Sequence, residues 1–149
     1  MEPEVFTPEY TEKLLKLQRG LNPRLAFIPC CYYKAVTPGF AKGYGPLMDG
    51  VLFPYRDESH GGNFKAANYV EAEVKTLRTM LPSSVPIVVG IFASRHSKLG
   101  LPSAEYVEQA LKEAKSWGDG VSVYKHPHKN SEPEKYEVVR RIYAGGLEK

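Results

Sequence analysis

The sequence predicts an α/β fold, with one leading helix followed by four strand–helix units in the order α(βα)4. Four apolar runs alternate with segments whose apolar residues recur at helical spacing, and such alternation gives parallel strands joined by right-handed crossovers. The 149 residues, 42% hydrophobic and 25% charged, have the size and composition of one soluble globular domain. Residues 1–149 are therefore expected to form a single domain. It is either a half-barrel or a small open parallel sheet of four strands with flanking helices.

The leading helix is predicted to begin at Thr7-Pro8, because threonine is a favourable N-cap and proline suits the first helical turn. The first strand is predicted over 24–33, a nearly continuous apolar run that is typical of a strand covered on both faces. Pro29 lies in this run and cannot donate a hydrogen bond to a neighbouring strand, which indicates an edge strand or a bulge. A short helix that begins at Thr37-Pro38 repeats the starting pattern of the leading helix.

The remaining elements continue the alternation of strand and helix. Asp49-Gly50-Val51 and Asp119-Gly120-Val121 begin two of the strands with the same three residues, an internal echo that favours two similar halves. In chain order, the elements are a strand over 51–55, a helix from about 66 to 81, a strand over 86–93, a helix capped by Ser103, a strand over 121–125 and a last helix with Tyr136, Val139 and Tyr143 on its apolar face.

Charge and cysteine content exclude several classes of partner. The net charge is only +3 and the basic residues are interspersed with acidic ones, so no nucleic-acid partner is predicted. Cys30 and Cys31 are the only cysteines and would point to opposite faces of a strand, so we expect no disulfide framework and a reducing, cytoplasmic location. The amino terminus lacks a signal-peptide pattern, and no apolar run reaches ~18 residues, so no membrane partner is expected.

Ligands of parallel α/β sheets bind at the carboxyl ends of the strands, where the loops carry variable polar groups. In this sequence the loops at those ends are rich in ionisable and aromatic residues, whereas the opposite loops are short and suited to turning. All four histidines fall at the carboxyl ends. The residues predicted to contact a ligand there are Tyr32, Tyr33, Arg56, His60, Arg95, His96, Tyr124, Lys125 and His126.

Asp57 and Glu58 are the candidate acid/base residues. Glycoside hydrolysis needs two carboxyls, typically ~5 Å apart for retention and ~6.5–9.5 Å apart for inversion. Adjacent residues rarely present both groups in that way, so one of the two would need a partner from elsewhere. The alternative is that Arg56 and Asp57 form an ion pair that braces the strand end while Glu58 stays solvated, since structural ion pairs also occupy such positions.

The histidines and the aromatic residues at the strand ends each have a functional and a purely structural interpretation. The four histidines, His128 included, have the chemistry to meet Asp57 or Glu58 at a metal. Solvated loop histidines are the better supported interpretation, and we predict no metal and no cofactor. The aromatic residues at the strand ends, Phe92 among them, are suited to stack on a sugar, and burial in the core accounts for them equally well.

Four stretches carry a resemblance to a known family. They are the run from Phe6 to Lys13, the run from Asp49 to Glu58, the helix at Tyr106-Val107-Glu108-Gln109 and the strand at Asp119-Gly120-Val121. From about Val5 to Tyr143 the chain resembles the C-terminal half of glycoside-hydrolase-like TIM-barrel proteins. The resemblance implies half of a (β/α)8 barrel, in which the leading helix would follow a missing fourth strand. It also implies a sugar-like ligand. In such proteins a further strand that ends in acidic residues normally lies upstream of the stretch that this chain matches.

Two functional hypotheses from different classes follow. In the first, the domain binds a small polar or carbohydrate ligand at the strand ends, and Asp57 or Glu58 acts as general acid or base if the protein is an enzyme. In the second, the chain is a non-catalytic barrel remnant that serves as an assembly module. Because a sheet of four strands leaves two open edges, self-association of two half-barrels is expected under either hypothesis.

Overall fold

The chain alternates helices and strands in the order predicted from the sequence, except at the first strand. The computed structural model describes residues 6–144. Among them, no helix is long and apolar enough to cross a membrane. The helices are α1 (Pro8–Leu21), α2 (Pro38–Tyr44), α3 (Val70–Met80), α4 (Ala104–Trp117) and α5 (Pro133–Ala144), and the strands are β1 (Val51–Pro54), β2 (Ile87–Phe92) and β3 (Gly120–Tyr124). Single 3-10 turns lie at Tyr33–Ala35, Gly45–Leu47 and Glu58–His60.

The helix starts follow the predicted capping chemistry. The hydroxyl of Thr7 accepts a hydrogen bond from the backbone N–H of Tyr10 at 3.2 Å, and Ser103 does the same for Tyr106 at 3.2 Å. Thr37 caps α2 in the same way. These bonds satisfy amide donors that lack a partner within the helix. Helix α3 starts at Val70, later than predicted, because the chain before it forms turns.

The sheet is parallel and open, with the strand order β1-β2-β3. Val51 lies opposite Ile87 in the first pair, and Val88 lies opposite Gly120 in the second. The α/β class and the small open parallel sheet are thus confirmed, with three strands instead of the predicted four. The described residues form no closed barrel.

The strand predicted over 24–33 is wrong as a full strand, because the segment makes a single parallel bridge, between Cys30 and Leu52. Leu52 donates its N–H to the carbonyl of Pro29 at 3.0 Å, and Cys31 donates to the carbonyl of Leu52 at 2.9 Å. To extend the ladder beyond this bridge, the next donor would be the nitrogen of Pro29 in one direction along the strands and the nitrogen of Pro54 in the other. Neither proline has an N–H, so the ladder ends after one bridge.

One face of the sheet forms the core with the helices. Phe53, Ile87 and Ile91 are fully buried there, together with Val107 and Leu111 of α4. Side chains alternate between the two faces of a strand, and of the intervening positions Leu52, Val88 and Phe92 are only half-buried. The helix-covered face therefore provides most of the apolar burial that stabilises the fold.

A carboxylate clamp joins the amino ends of β2 and β3. Asp119 accepts hydrogen bonds from the backbone N–H of Ile87 at 2.7 Å and from the guanidinium of Arg78 at 2.9 Å. Although burial works against ionisation, the Ile87 N–H and the Arg78 charge together hold the pKa of Asp119 below its ordinary value. The clamp fixes α3 and two neighbouring strands to one another.

The same clamp occurs in the first half of the chain. Asp49 accepts from the N–H of Phe27 at 2.7 Å and from the guanidinium of Arg19 at 2.6 Å. Each clamp thus uses an aspartate before a strand, an arginine of the second helix before that strand and a backbone N–H of the segment between the two helices. The echo of Asp-Gly-Val in the sequence therefore corresponds to a repeated contact, which lies at the end of the sheet opposite the predicted ligand site.

Candidate functional site

The loop that follows β1 carries four of the predicted site residues, and its shape depends on Asp57. This residue adopts a left-handed conformation, with φ 52° and ψ 55°, which few residues other than glycine, asparagine and aspartate tolerate. The loop is closed by backbone bonds from Gly62 to Asp57 at 2.8 Å and from Asn63 to Arg56 at 2.9 Å. The left-handed turn allows Arg56 and Glu58 to meet, while Asp57 points into the loop.

Asp57 is buried, with 1% of its surface exposed. One carboxylate oxygen accepts from Nδ1 of His60 at 2.7 Å and from the Ser59 hydroxyl at 3.3 Å, and the other accepts from the Asn63 amide at 2.7 Å. The alternative in which Asp57 pairs with Arg56 is therefore wrong, since its partner is His60. Asp57 holds the loop together from within.

Glu58 lies on the other side of the loop and is also buried. One of its oxygens accepts from Nε of Arg56 at 2.9 Å and from Nη2 of the same side chain, and the other accepts from the backbone N–H of Lys34 at 2.9 Å. The expectation of a solvated Glu58 is thus wrong. The Arg56 guanidinium also lies 3.8 Å from the ring centre of Tyr32, so Arg56 is fixed by an ion pair and a cation–π contact.

The two predicted acid/base residues thus belong to different clusters. Asp57 lies inside the loop with His60 and Asn63, and Glu58 lies with Arg56 and the backbone of Lys34. Every carboxylate oxygen of Asp57 and Glu58 has a hydrogen-bond donor. Their role as general acid or base stays a prediction from the sequence.

A third buried carboxylate, Glu73 of α3, was not predicted as part of the site. One of its oxygens accepts from the backbone N–H of Ser59 at 2.8 Å and from the Ser59 hydroxyl at 2.7 Å. Within the described residues its other oxygen has no hydrogen-bond partner. A signal for it exists in the sequence, because Glu73 shares the apolar stripe of α3 with Val70, Val74 and Leu77.

Burial raises the pKa of Glu73, and the nearby Asp57 and Glu58 carboxylates raise it further, while the bonds from Ser59 act in the opposite direction. Glu73 and Asp57 share the Ser59 hydroxyl. The loop after β1 is therefore anchored to α3 through Ser59, which keeps Arg56 and Glu58 in place above the sheet.

A cavity of about 200 Å³ opens beside Arg56 and Glu58. It lies at the carboxyl end of β1, where the sequence predicts the ligand. Lys34 and Lys98 also line the cavity and were absent from the predicted set. Each follows the end of an apolar run by a few residues, so the rule that ligands bind at the carboxyl ends of strands would have included them. Its complete lining is Lys34, Arg56, Glu58, Gly61, Gly62, Lys98 and Leu99.

His96 lies in the loop that brings Lys98 to the cavity. Its Nδ1 accepts from the backbone N–H groups of Lys98 at 3.1 Å and Leu99 at 3.2 Å, which leaves the ring proton on Nε2. Partial burial lowers the pKa of His96, and the positive charges of Arg56, Lys98 and Lys125 lower it further. His96 is therefore a neutral group in a positively charged environment.

The remaining aromatic residues of the predicted site are engaged with other parts of the protein. The Tyr124 ring stacks on Phe92 with 4.9 Å between ring centres, and its hydroxyl lies 3.3 Å from the Cys30 sulfur. Tyr33 is half-buried and packs against the core. The faces of Phe92 and Tyr124 are thus engaged with each other, and the face of Tyr32 is engaged with Arg56.

Arg95, Lys125 and His126 also lie outside the cavity lining. Arg95 and Lys125 are exposed, and Lys125 has a left-handed backbone with φ 49°. His126 contacts the ring of Tyr136 on α5, with 5.7 Å between ring centres. Of the predicted set, the cavity therefore brings together Arg56 and Glu58, with Tyr32 beneath Arg56.

The histidines of the strand ends have the chemistry of metal ligands. Within residues 6–144, no group of three or more histidine, cysteine, aspartate or glutamate side chains is arranged to hold a metal ion. His60 is bonded to Asp57, and His96 is bonded to its own loop, so the structure gives each of these two histidines a local role.

Comparison with known proteins finds no matching family model, no matching curated protein and no matching solved structure. The resemblance to glycoside-hydrolase-like half-barrels thus stays a prediction from the sequence.

Proposed function

We propose that this chain is a half-barrel protein, resembling glycoside hydrolases, that binds a small polar, sugar-like ligand at the carboxyl ends of its parallel strands. The observation that carries the proposal is the polar cavity of about 200 Å³ beside Arg56 and Glu58. Sites of parallel α/β sheets lie at this end. The volume is below the roughly 300–1,000 Å³ of sites for drug-sized ligands, so it suits one sugar ring or one end of a larger molecule.

The lining supports a ligand with several hydroxyl groups. The ammonium groups of Lys34 and Lys98 and the unused N–H groups of Arg56 are donors, and Glu58 is an acceptor. Arg56 is already fixed by Glu58 and Tyr32, so little side-chain entropy is lost when it binds. Glu58 is the predicted carboxyl that lines the cavity, and we assign any acid/base role to it. Asp57 then acts as a positioning residue for the loop.

A ligand screen tests the proposal. Hexoses, pentoses, amino sugars and their acidic derivatives are titrated into the labelled protein, and backbone amide shifts are followed by NMR. We expect saturable shifts centred on residues 56–62 and 96–99, and about tenfold weaker binding in Lys98→Ala, the loss of one charged hydrogen bond. Lys112→Ala is the matched control, because Lys112 pairs with Glu108 on α4 and should leave affinity unchanged. The absence of binding by every compound, or equal loss in both variants, contradicts the proposal.

A second candidate, the assembly module, is favoured by the position of exposed apolar residues. Leu17 and Leu21 of α1 are 67% and 85% exposed, and Ile28 in the segment beside β1 is 51% exposed. At the opposite edge, Tyr143 of α5 is 47% exposed beside the free side of β3. These residues lie where a closed barrel would continue, so a second copy of the chain is the partner that we propose for both edges.

Light scattering on a sizing column tests this second candidate. A chain of 16.7 kDa is expected to elute with twice that mass at micromolar concentration, because a second copy would cover the apolar residues of both edges. Leu21→Lys should shift the protein toward the monomer. Leu101→Lys is the control, since Leu101 is also exposed, at 54%, but lies in the loop after β2. A monomeric wild-type protein at all concentrations would rule out the assembly.

A further inference from the structure

The charges that line the cavity restrict the class of ligand. Lys34, Arg56 and Lys98 are positive and Glu58 is negative, which gives the lining a net charge of +2. Glu58 is already matched by the guanidinium of Arg56 and the backbone N–H of Lys34. Across residues 6–144, neither the Lys34 nor the Lys98 ammonium group has a carboxylate within 4.0 Å, while nine ion pairs form between other lysine or arginine side chains and carboxylates. The uncompensated charge of the cavity is therefore positive.

Three segments of the chain bring these charges to one place. Lys34 follows the segment that pairs with β1, Arg56 follows β1 and Lys98 follows β2. Lys125 follows β3, and together with Arg56 and Lys98 it lowers the pKa of His96. The positive potential thus extends along the strand ends. The residues that produce it are far apart in the sequence.

We propose that the ligand of this cavity carries a phosphate monoester, as a phosphorylated sugar does, and that Lys34, Arg56 and Lys98 bind the phosphate. This inference rests on the proposed function, because it assigns the charged group of the same ligand. A phosphate monoester carries a charge of about −1.5 to −2 at pH 7, which matches the net charge of the lining. A carboxylate carries only one negative charge and leaves one lysine uncompensated.

Arg56 has the geometry that this role requires. A guanidinium has five N–H donors in a planar fork. Glu58 uses Nε and Nη2 of Arg56, so donors on the remaining nitrogen are left for phosphate oxygens. The Tyr32 ring and Glu58 restrain the guanidinium from two sides. Binding of an anion therefore adds charge-assisted hydrogen bonds without a large loss of side-chain freedom.

The test compares four probes on the full chain by calorimetry at pH 7.5. They are glucose 6-phosphate, glucose, glucuronate and inorganic phosphate. We expect glucose 6-phosphate to bind at least tenfold more tightly than glucose and glucuronate. Lys34→Gln and Lys98→Gln should each lower the affinity for glucose 6-phosphate about tenfold, the loss of one charge-assisted contact, and more than the affinity for glucose. Lys112→Gln, which removes a charge from α4, should change neither.

His96 supplies a second readout that does not depend on affinity alone. A bound phosphate near Lys98 favours the protonated imidazole, so saturation with glucose 6-phosphate should raise the pKa of His96 when its ring signals are followed by NMR. The same titration with glucose should leave the His96 pKa where it is in the free protein.

The outcomes separate this inference from the proposed function. Equal affinity for glucose and glucose 6-phosphate overturns the inference and leaves the sugar site in place. Glucuronate as tight as glucose 6-phosphate overturns the phosphate assignment in favour of a carboxylate. Inorganic phosphate as tight as glucose 6-phosphate supports the anion site but removes the sugar from the proposed function. Binding of no probe overturns both.

Discussion

Replacement of Asp57 by alanine is expected to lower the free energy of unfolding by about 3 kcal/mol, because it removes the hydrogen bonds to a buried carboxylate and puts alanine in a left-handed conformation. The donors that lose this acceptor are Nδ1 of His60 and the Asn63 amide, whereas the Ser59 hydroxyl keeps Glu73 as its acceptor. Asp57→Asn should cost about 1 kcal/mol, since asparagine tolerates the left-handed backbone and retains one acceptor oxygen. Urea unfolding at pH 7.5, followed by circular dichroism, measures both values.

The comparison between these two variants also decides how binding data on Asp57 are interpreted. If Asp57→Ala loses the ligand while Asp57→Asn retains it, Asp57 positions the loop and does not touch the ligand. Asp57→Ala within about 1 kcal/mol of the wild-type protein would contradict the bracing role, because the lost bonds from His60 and Asn63 and the left-handed backbone are together expected to cost more than that.

Replacement of Gly118 by alanine is expected to lower the free energy of unfolding by about 2–3 kcal/mol, as overpacking of a tight interior does. A Cβ atom at this position would lie 2.8 Å from a methyl group of Val89, 2.9 Å from the carbonyl oxygen of Ala114 and 3.0 Å from that of Gly120. Two of these atoms belong to the backbone, so the end of α4 and the start of β3 would have to move apart.

Thermal unfolding checks this prediction, and Gly20→Ala is the matched control. Gly20 lies in α1 with no atom within 4 Å of its Cβ position, so alanine there should stabilise the protein by about 0.5–1 kcal/mol through helix propensity. For Gly118→Ala we expect a fall in Tm of about 6–10 °C. A Tm equal to that of the wild-type protein would show that α4 and β3 are less closely packed than the distances indicate.

Local chemistry was sufficient to predict most of the secondary structure. Thr7, Thr37 and Ser103 cap the helices at which they were expected, because a cap needs only a hydroxyl and the amides that follow it. The run 86–93 was predicted as a strand, and β2 lies there, at the centre of the sheet. Alternation of these elements gave the α/β class without any knowledge of long-range contacts.

The segment predicted as the first strand shows what local patterns could not predict. Pro29 indicated an edge position, and the segment does lie at the edge beside β1. The loss of the ladder also depends on Pro54, which lies in the strand opposite and removes the next donor. Only the register between the two segments brings these prolines to either side of one bridge, and register is a property of the folded pair.

The order of the elements, the helix starts and the end of the sheet with the polar groups could all be predicted from local sequence patterns. Which of those polar groups meet depends on how the loops and strands pack. With the left-handed turn at Asp57, Arg56 pairs with Glu58 and not with Asp57, and the folded loops bring Lys34 and Lys98 to the cavity. Capping and periodicity act between residues a few positions apart, whereas a charged cavity depends on distances between segments that only the packed sheet fixes.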